Sequence, residues 1–153
     1  MKTLEIKIEQ SKIWDEVAKT TSYIGGNMPE DEKAYERISL TDANAEDLER
    51  FWAETASVAN ENLKEFLAYS EVGEEYIATL NVDDRYNDAL TQSVKNSIES
   101  FFVDAIVSKW CMYVNKGEAE VYAGEAISML DDALRKLHNK KRPTPPKRNY
   151  LKQ

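Results

Sequence analysis

Asp104, Cys111 and His138 are the side chains of this 153-residue chain whose types and places best suit them to chemistry. Asp104 is the one acid in residues 100–114, Ser-Phe-Phe-Val-Asp-Ala-Ile-Val-Ser-Lys-Trp-Cys-Met-Tyr-Val, which otherwise place apolar residues around nearly every direction of a helix. Burial would disfavour its charged form, raise its pKa and suit it to general-base work. The competing reading puts it on the polar side of the helix, or against Lys109 or another cation across an interface. No second catalytic group stands at a defined spacing from it. Cys111 is the single cysteine, and a nucleophilic thiol needs a nearby base. The only histidine lies beyond the next helix, so a small core thiol is expected.

His138 stands three residues after Arg135, whereas a di-iron site in a helical bundle would need Glu-x-x-His pairs from two helices. At the end of a helix it reads as a cation that complements the dipole. Gly25-Gly26-Asn27 has neither the Walker spacing nor the three spaced glycines of a dinucleotide loop. These readings leave no catalytic, cofactor or metal site and no small-molecule substrate. An enzyme working through Asp104 is the weakest of three function classes, because the rest of a catalytic constellation is missing.

Charge points elsewhere. The chain carries a net charge of −8, yet from Arg135 onward there are eight cations and no acid, so residues 1–134 hold 12 cations against 28 acids. Lys140, Lys141, Arg142, Lys147 and Arg148 cluster with Pro143, Pro145 and Pro146 in residues 139–153. Proline and charge with little apolar content cannot build a core, so this segment is expected to be an extended or disordered tail. An acidic body with a basic tail suggests an interaction segment, and a solvated terminus that aids solubility is the plain alternative. Nucleic acid could be met through the tail only, since the acidic body would repel a duplex.

The elements that must position these groups follow from periodicity. Leu4, Ile6 and Ile8 alternate with polar residues as in a half-buried strand, and residues 75–82 supply a partner with Tyr76, Ala78, Leu80 and Val82. A rival reading extends the first helix back over residues 5–10, because Glu and Lys favour helices. Ser11 is a candidate N-cap, followed by apolar positions Ile13, Trp14, Val17, Ala18 and Ile24, with Gly25-Gly26 as the stop. A short helix from Pro29 to about Ile38 is predicted, then caps at Thr41 and Asp42.

Residues 43–69 predict one long helix through Leu48, Phe51, Trp52, Val58, Ala59, Leu63, Phe66 and Leu67. The apolar helix follows, entered through Leu90, Val94 and Ile98 and closed by a turn at Asn115-Lys116-Gly117. A last helix over residues 118–138 carries acids early and cations late. Trp14, Trp52 and Trp110 sit on apolar faces and read as core. The fold class expected is mainly α, a four- to five-helix bundle around the central apolar helix with a small two-stranded β element. Residues 1–138 form the single domain.

The apolar run is too short and interrupted to span a bilayer, so no membrane partner is expected. The alternating start lacks the apolar run of a secretory signal, and with one cysteine the expected setting is cytoplasmic, in a bacterial host, or the virion.

The order of the strong elements carries a resemblance. A helix with Leu48, Phe51-Trp52 and Ala56, an extended segment, an apolar helix ending in Trp110-Cys111-Met112-Tyr113, a short polar turn and a helix with Tyr122, Ala126, Ile127 and Leu130 are similar to small head-to-tail connector (neck adaptor) proteins of tailed bacteriophages. The similarity spans roughly residues 43–138. It implies a helical subunit that assembles into a ring between portal and tail, contacts copies of itself and other virion or assembly proteins, and performs no catalysis. The runner-up is a nucleic-acid-associated accessory protein that binds through its basic tail.

Overall fold

A computed structural model describes residues 1–26 and 45–143. Strand β1 (Lys2–Glu9) leads directly into helix α1 (Gln10–Gly26), and helix α2 (Ala45–Asn62) is followed by a hairpin of β2 (Leu67–Val72) and β3 (Glu75–Val82). A 3-10 turn at Asp88–Leu90 opens helix α3 (Thr91–Val114), and helix α4 (Lys116–Leu137) returns along it. The described residues are mainly helical, with four α-helices and a three-stranded antiparallel sheet of order β1-β3-β2. The expected short helix from Pro29 and the caps at Thr41 and Asp42 lie outside the described residues.

Alternation decides the first element. A helix would scatter Leu4, Ile6 and Ile8 over different faces, whereas a strand points all three one way. Ile6 and Ile8 are buried, and Thr3, Glu5, Lys7 and Glu9 face solvent. Every residue from Lys2 to Glu9 pairs with β3, from Lys2↔Val82 to Glu9↔Glu75, so the strand reading holds and the helical one fails. Helix α1 starts at Gln10 rather than after Ser11, because the Gln10 amide donates to the Glu74 carbonyl at 3.0 Å and the chain turns helical there.

The long helix of residues 43–69 is two elements. Helix α2 ends at Asn62, and a single further turn, with Phe66 N–H and Leu67 N–H both donating to Leu63 O at 2.9 Å, leads into β2. Leu63, Phe66 and Leu67 thus keep helical spacing through a turn that does not propagate. Strand β2 covers the other side of β3, which makes the sheet three-stranded rather than two-stranded. Two anchors hold its hairpin to the helices: Trp52 Nε1 donates to Gly73 O at 3.0 Å, and the Gln10 amide reaches Glu74 O.

Helices α1, α2 and α4 all pack on α3, α4 most extensively, and β1 packs there too. Their common centre is aromatic. Phe102 lies 5.0 Å from Trp52 and 5.1 Å from Tyr76 between ring centroids, and Trp14 meets Trp52 edge-on at 5.7 Å. Such contacts add to the area term that drives burial. The Tyr76 hydroxyl, buried and pushed to a raised pKa by desolvation, donates to Asn60 Oδ1 at 2.7 Å.

Two expectations about α3 change. Its second half is not covered all round: Phe101, Phe102, Ile106, Val107, Trp110 and Cys111 are buried, but Met112 and Tyr113 are 54 % and 67 % exposed. The connection to α4 is one residue, Asn115, with extended φ of −159°, and Gly117 already lies in the first turn of α4. The Asn115 side chain accepts from the Glu118 amide, satisfying a donor that a helix start leaves open. Glycine's left-handed freedom is not needed there.

Candidate functional site

Because α3 and α4 are joined by a single residue, they lie antiparallel and bring residues far apart in sequence across one seam. Ser108 Oγ donates to Ala119 O at 2.8 Å near the connection, and Ser97 Oγ meets Asp132 at 2.7 Å near the open end. Asp104 lies between these points. It is partly buried, and burial first and the Glu125 carboxylate second push its carboxyl up to about 6. Lys109 does not neutralise it, since that ammonium reaches Glu54 on α2 at 2.9 Å. Among the described residues Asp104 has no hydrogen-bond or ion-pair partner.

Beside Asp104 runs an open groove of about 340 Å³, with Lys12, Ile13 and Glu16 of α1 on one wall and Glu99, Ser100, Val103 and Met129 on the others. Lys12 is held at its rim by Glu99 at 3.1 Å. This arrangement can take up a proton near pH 6. Cys111 sits farther along the seam, buried, with its thiol pushed up to about 11 by desolvation and then by Glu118. It stays a thiol at neutral pH, which removes the nucleophilic form. His138 packs edge-on against Phe66 at 4.8 Å and stands 3.6 Å from Glu65, at the exposed end of α4. Among the described residues no cluster of three His, Cys, Asp or Glu side chains is placed to hold a metal, and no helix is long and apolar enough to cross a membrane.

The basic tail begins bound to the body. Asn87 N–H donates to Asn139 O at 3.3 Å, Lys141 N–H donates to Arg85 O at 2.7 Å, and Lys140 bridges Tyr86 in antiparallel fashion. Lys140 Nζ lies 3.6 Å from Asp83, whose carboxyl is lowered by a hydrogen bond from the Arg85 amide and by the nearby cations, Lys140 among them. Lys141 and Arg142 are exposed. Lys147 and Arg148 lie outside the described residues. Thus Asp104 and the tail, both singled out from sequence, are not brought together: the first is on the seam, the second starts on the β3–α3 loop.

Periodicity did not reveal a third cluster. Arg50, Phe51 and Glu54 of α2 face Lys109, Met112 and Tyr113 of α3 around an open groove of about 490 Å³. The Phe51 and Tyr113 rings stack with centroids 6.3 Å apart, Arg50 lies 5.3 Å above Phe51, and Arg50 Nη2 donates to the Tyr113 hydroxyl at 3.1 Å. Lys109–Glu54 closes the other end. Exposed tyrosine, methionine and arginine is the mixture enriched at protein contact surfaces. Its sequence signal was the spacing Lys109, Met112, Tyr113, one polar and two apolar residues on a single helix face at the end of an otherwise buried run.

No family model, no curated protein and no solved structure matches this chain.

Proposed function

We propose that the protein is a non-catalytic assembly subunit of the head-to-tail connector kind, acting by contact with copies of itself and with other virion proteins. The observation that carries this reading is the surfacing of the central helix: Met112 and Tyr113, apolar side chains just past the buried Trp110 and Cys111, stand exposed beside Phe51 and Arg50. Burial of such side chains is what a partner would supply, since aromatic and arginine anchors dominate interface energies. The charge layout supports the same reading. A subunit in a ring meets its neighbour through two different surfaces, and an acidic body with a basic tail is complementary to a copy of itself in that head-to-tail sense.

Because residues 139–141 are bonded to the β3–α3 loop, the informative truncation removes residues 144–153 and leaves that anchor in place. Light scattering on the full chain should show oligomers that decrease on this truncation and again on Tyr113→Ser. Both variants should keep the helical circular dichroism of the parent. A chain whose mass distribution is unchanged by either variant would exclude the reading.

The second reading, nucleic-acid contact through the tail, draws on Lys141 and Arg142, which are exposed and without an ion pair among the described residues. It requires retardation of DNA or RNA at low salt, weakening with salt by a logarithmic slope of about 0.9 per phosphate neutralised.

A further inference from the structure

We propose that the free edge of β1 pairs with the same edge of a second copy of the chain, antiparallel and centred on Ile6, joining two three-stranded sheets into one of six strands. This rests on the sheet and not on the function proposed above.

Strand β3 is central, so β1 and β2 are both edges. An edge presents unpaired backbone groups to any strand that fits, and proteins defend edges by shortening them, bulging them, or placing charges or proline there. Strand β2 is defended: it has six residues, and its register shifts between Leu67 and Tyr69. Strand β1 is neither short nor bulged: its eight residues pair with β3 without a shift and contain no proline, and its one defence is charge, at Lys2, Glu5, Lys7 and Glu9. Among the described residues, β1 makes no backbone hydrogen bond outside the β3 ladder.

The occupant follows from the side chains. The outer row of β1 is Thr3, Glu5, Lys7 and Glu9, and Glu5 and Lys7 are about equally exposed, at 55 % and 54 %. The inner row is Leu4, Ile6 and Ile8, with Leu4 only partly covered. With the two-fold axis at Ile6, Glu5 faces the partner's Lys7, Lys7 faces the partner's Glu5, and Leu4 faces the partner's Ile8. Centring on Glu5 instead sets Glu5 against its own copy. Centring on Lys7 sets lysine against lysine and Glu5 against the partner's Glu9. A shift by one residue puts polar side chains opposite apolar ones. Centring on Ile8 also sets Lys7 against the partner's Glu9, but it pairs only residues 7–9 because Gln10 opens α1. Opposite charges directly across a ladder stabilise it and like charges destabilise it, so the longest register with opposite charges facing is the one centred on Ile6. Such an interface is isologous and closes as a dimer.

Sedimentation velocity of the full chain, from micromolar to near-millimolar concentration, tests this. The wild-type chain should show a concentration-dependent pairing step, present whether or not it also assembles through Tyr113 and the tail. Glu5→Lys and Lys7→Glu should each weaken the dimer by about tenfold or more, since each sets like charges opposite one another twice. Lys7→Gln should fall between Lys7→Glu and the wild-type chain. An equimolar mixture of the two charge-reversed chains should recover a dimer, because two lysines of one strand then face two glutamates of the other. A wild-type chain that stays monomeric, single variants that dimerise as well as the parent, or a mixture that fails to recover would each overturn the proposal.

Discussion

The α3–α4 seam carries one aspartate near its middle, Asp104, and one near its open end, Asp132, and the two carboxyls are pushed in opposite directions. Asp132 receives an ion-paired hydrogen bond from Lys136 and a second hydrogen bond from Ser97, and these hold its carboxyl below the usual range. Lys136 Nζ also donates to Ser97 Oγ at 3.0 Å, so three side chains satisfy one another across the two helices. Asp104, on the same pair of helices, faces Glu125 and is pushed up to about 6. Sitting between two packed helices therefore does not settle a carboxyl's charge; the donors within its reach do, and Asp132 has Lys136 on its own helix and Ser97 on the opposite one.

That contrast can be broken or sharpened. The largest expected effect falls on the aromatic centre against which α3 packs. Phe102 is fully buried among Trp52, Tyr76 and Phe101, and Phe102→Ala should cost about 3–5 kcal/mol in chemical denaturation. A loss near zero would mean that α3 is not the packing centre, and the seam would lose its rigid frame.

Next comes Asp104→Asn, which should stabilise the protein at pH 7 by about 1–2 kcal/mol after allowance for solvent screening of a partly exposed group. The sign follows from linkage. A folded-state pKa raised to about 6 means that the penalty is fully present above pH 6. It is relieved as pH falls from about 6 toward the unfolded-state value of about 4. Denaturation curves across that window should show the stability difference between the wild-type chain and the asparagine variant shrinking as pH falls. A destabilising Asp104→Asn would erase the contrast.

Asp132→Asn should act oppositely, costing about 1 kcal/mol at pH 7 through loss of charge-assisted donors at a partly exposed site. Its contribution is present above the unfolded-state pKa of about 4 and is lost as pH falls through the lower folded-state value. The two aspartates thus divide the acid limb into separate windows. The smallest effect belongs to Glu125→Gln, worth about 0.5 kcal/mol. Carboxyl titration of Asp104 by NMR should move down in that variant yet stay above the ordinary range, because burial is the larger cause. A return of Asp104 to an ordinary pKa would transfer the effect from burial to the neighbouring charge.

Legibility of the fold varied with the distance over which its causes act. The alternation of Leu4, Ile6 and Ile8 identified β1, and that of Tyr76, Ala78, Leu80 and Val82 identified its partner, because a buried face imposes period two locally. Residues 63–69 read as helix because Leu63, Phe66 and Leu67 keep helical spacing through the turn, and only the open side of β3 pulls the chain straight afterwards. Asp104 was legible as an acid that burial would perturb, but Lys109, five residues away, was a plausible partner until α2 placed Glu54 nearer to it. The Arg50–Phe51–Tyr113 cluster joins residues more than 60 positions apart and had no local signature beyond one exposed helix face.

What the sequence determined by itself is therefore the inventory: the helical faces, the two alternating strands, the aromatic core residues, and a cationic C-terminal segment after an acidic body. The tertiary structure alone decided the third strand, the one-residue link at Asn115, the pairing of Asp104 with Glu125 rather than with a cation, and the anchoring of Lys140 and Lys141 on the β3–α3 loop. Periodicity reports which side of an element is buried. Which groups meet across that buried side depends on how helices and strands distant in the chain are set against one another, and that setting leaves Asp104 facing an acid while Asp132 keeps a lysine of its own helix.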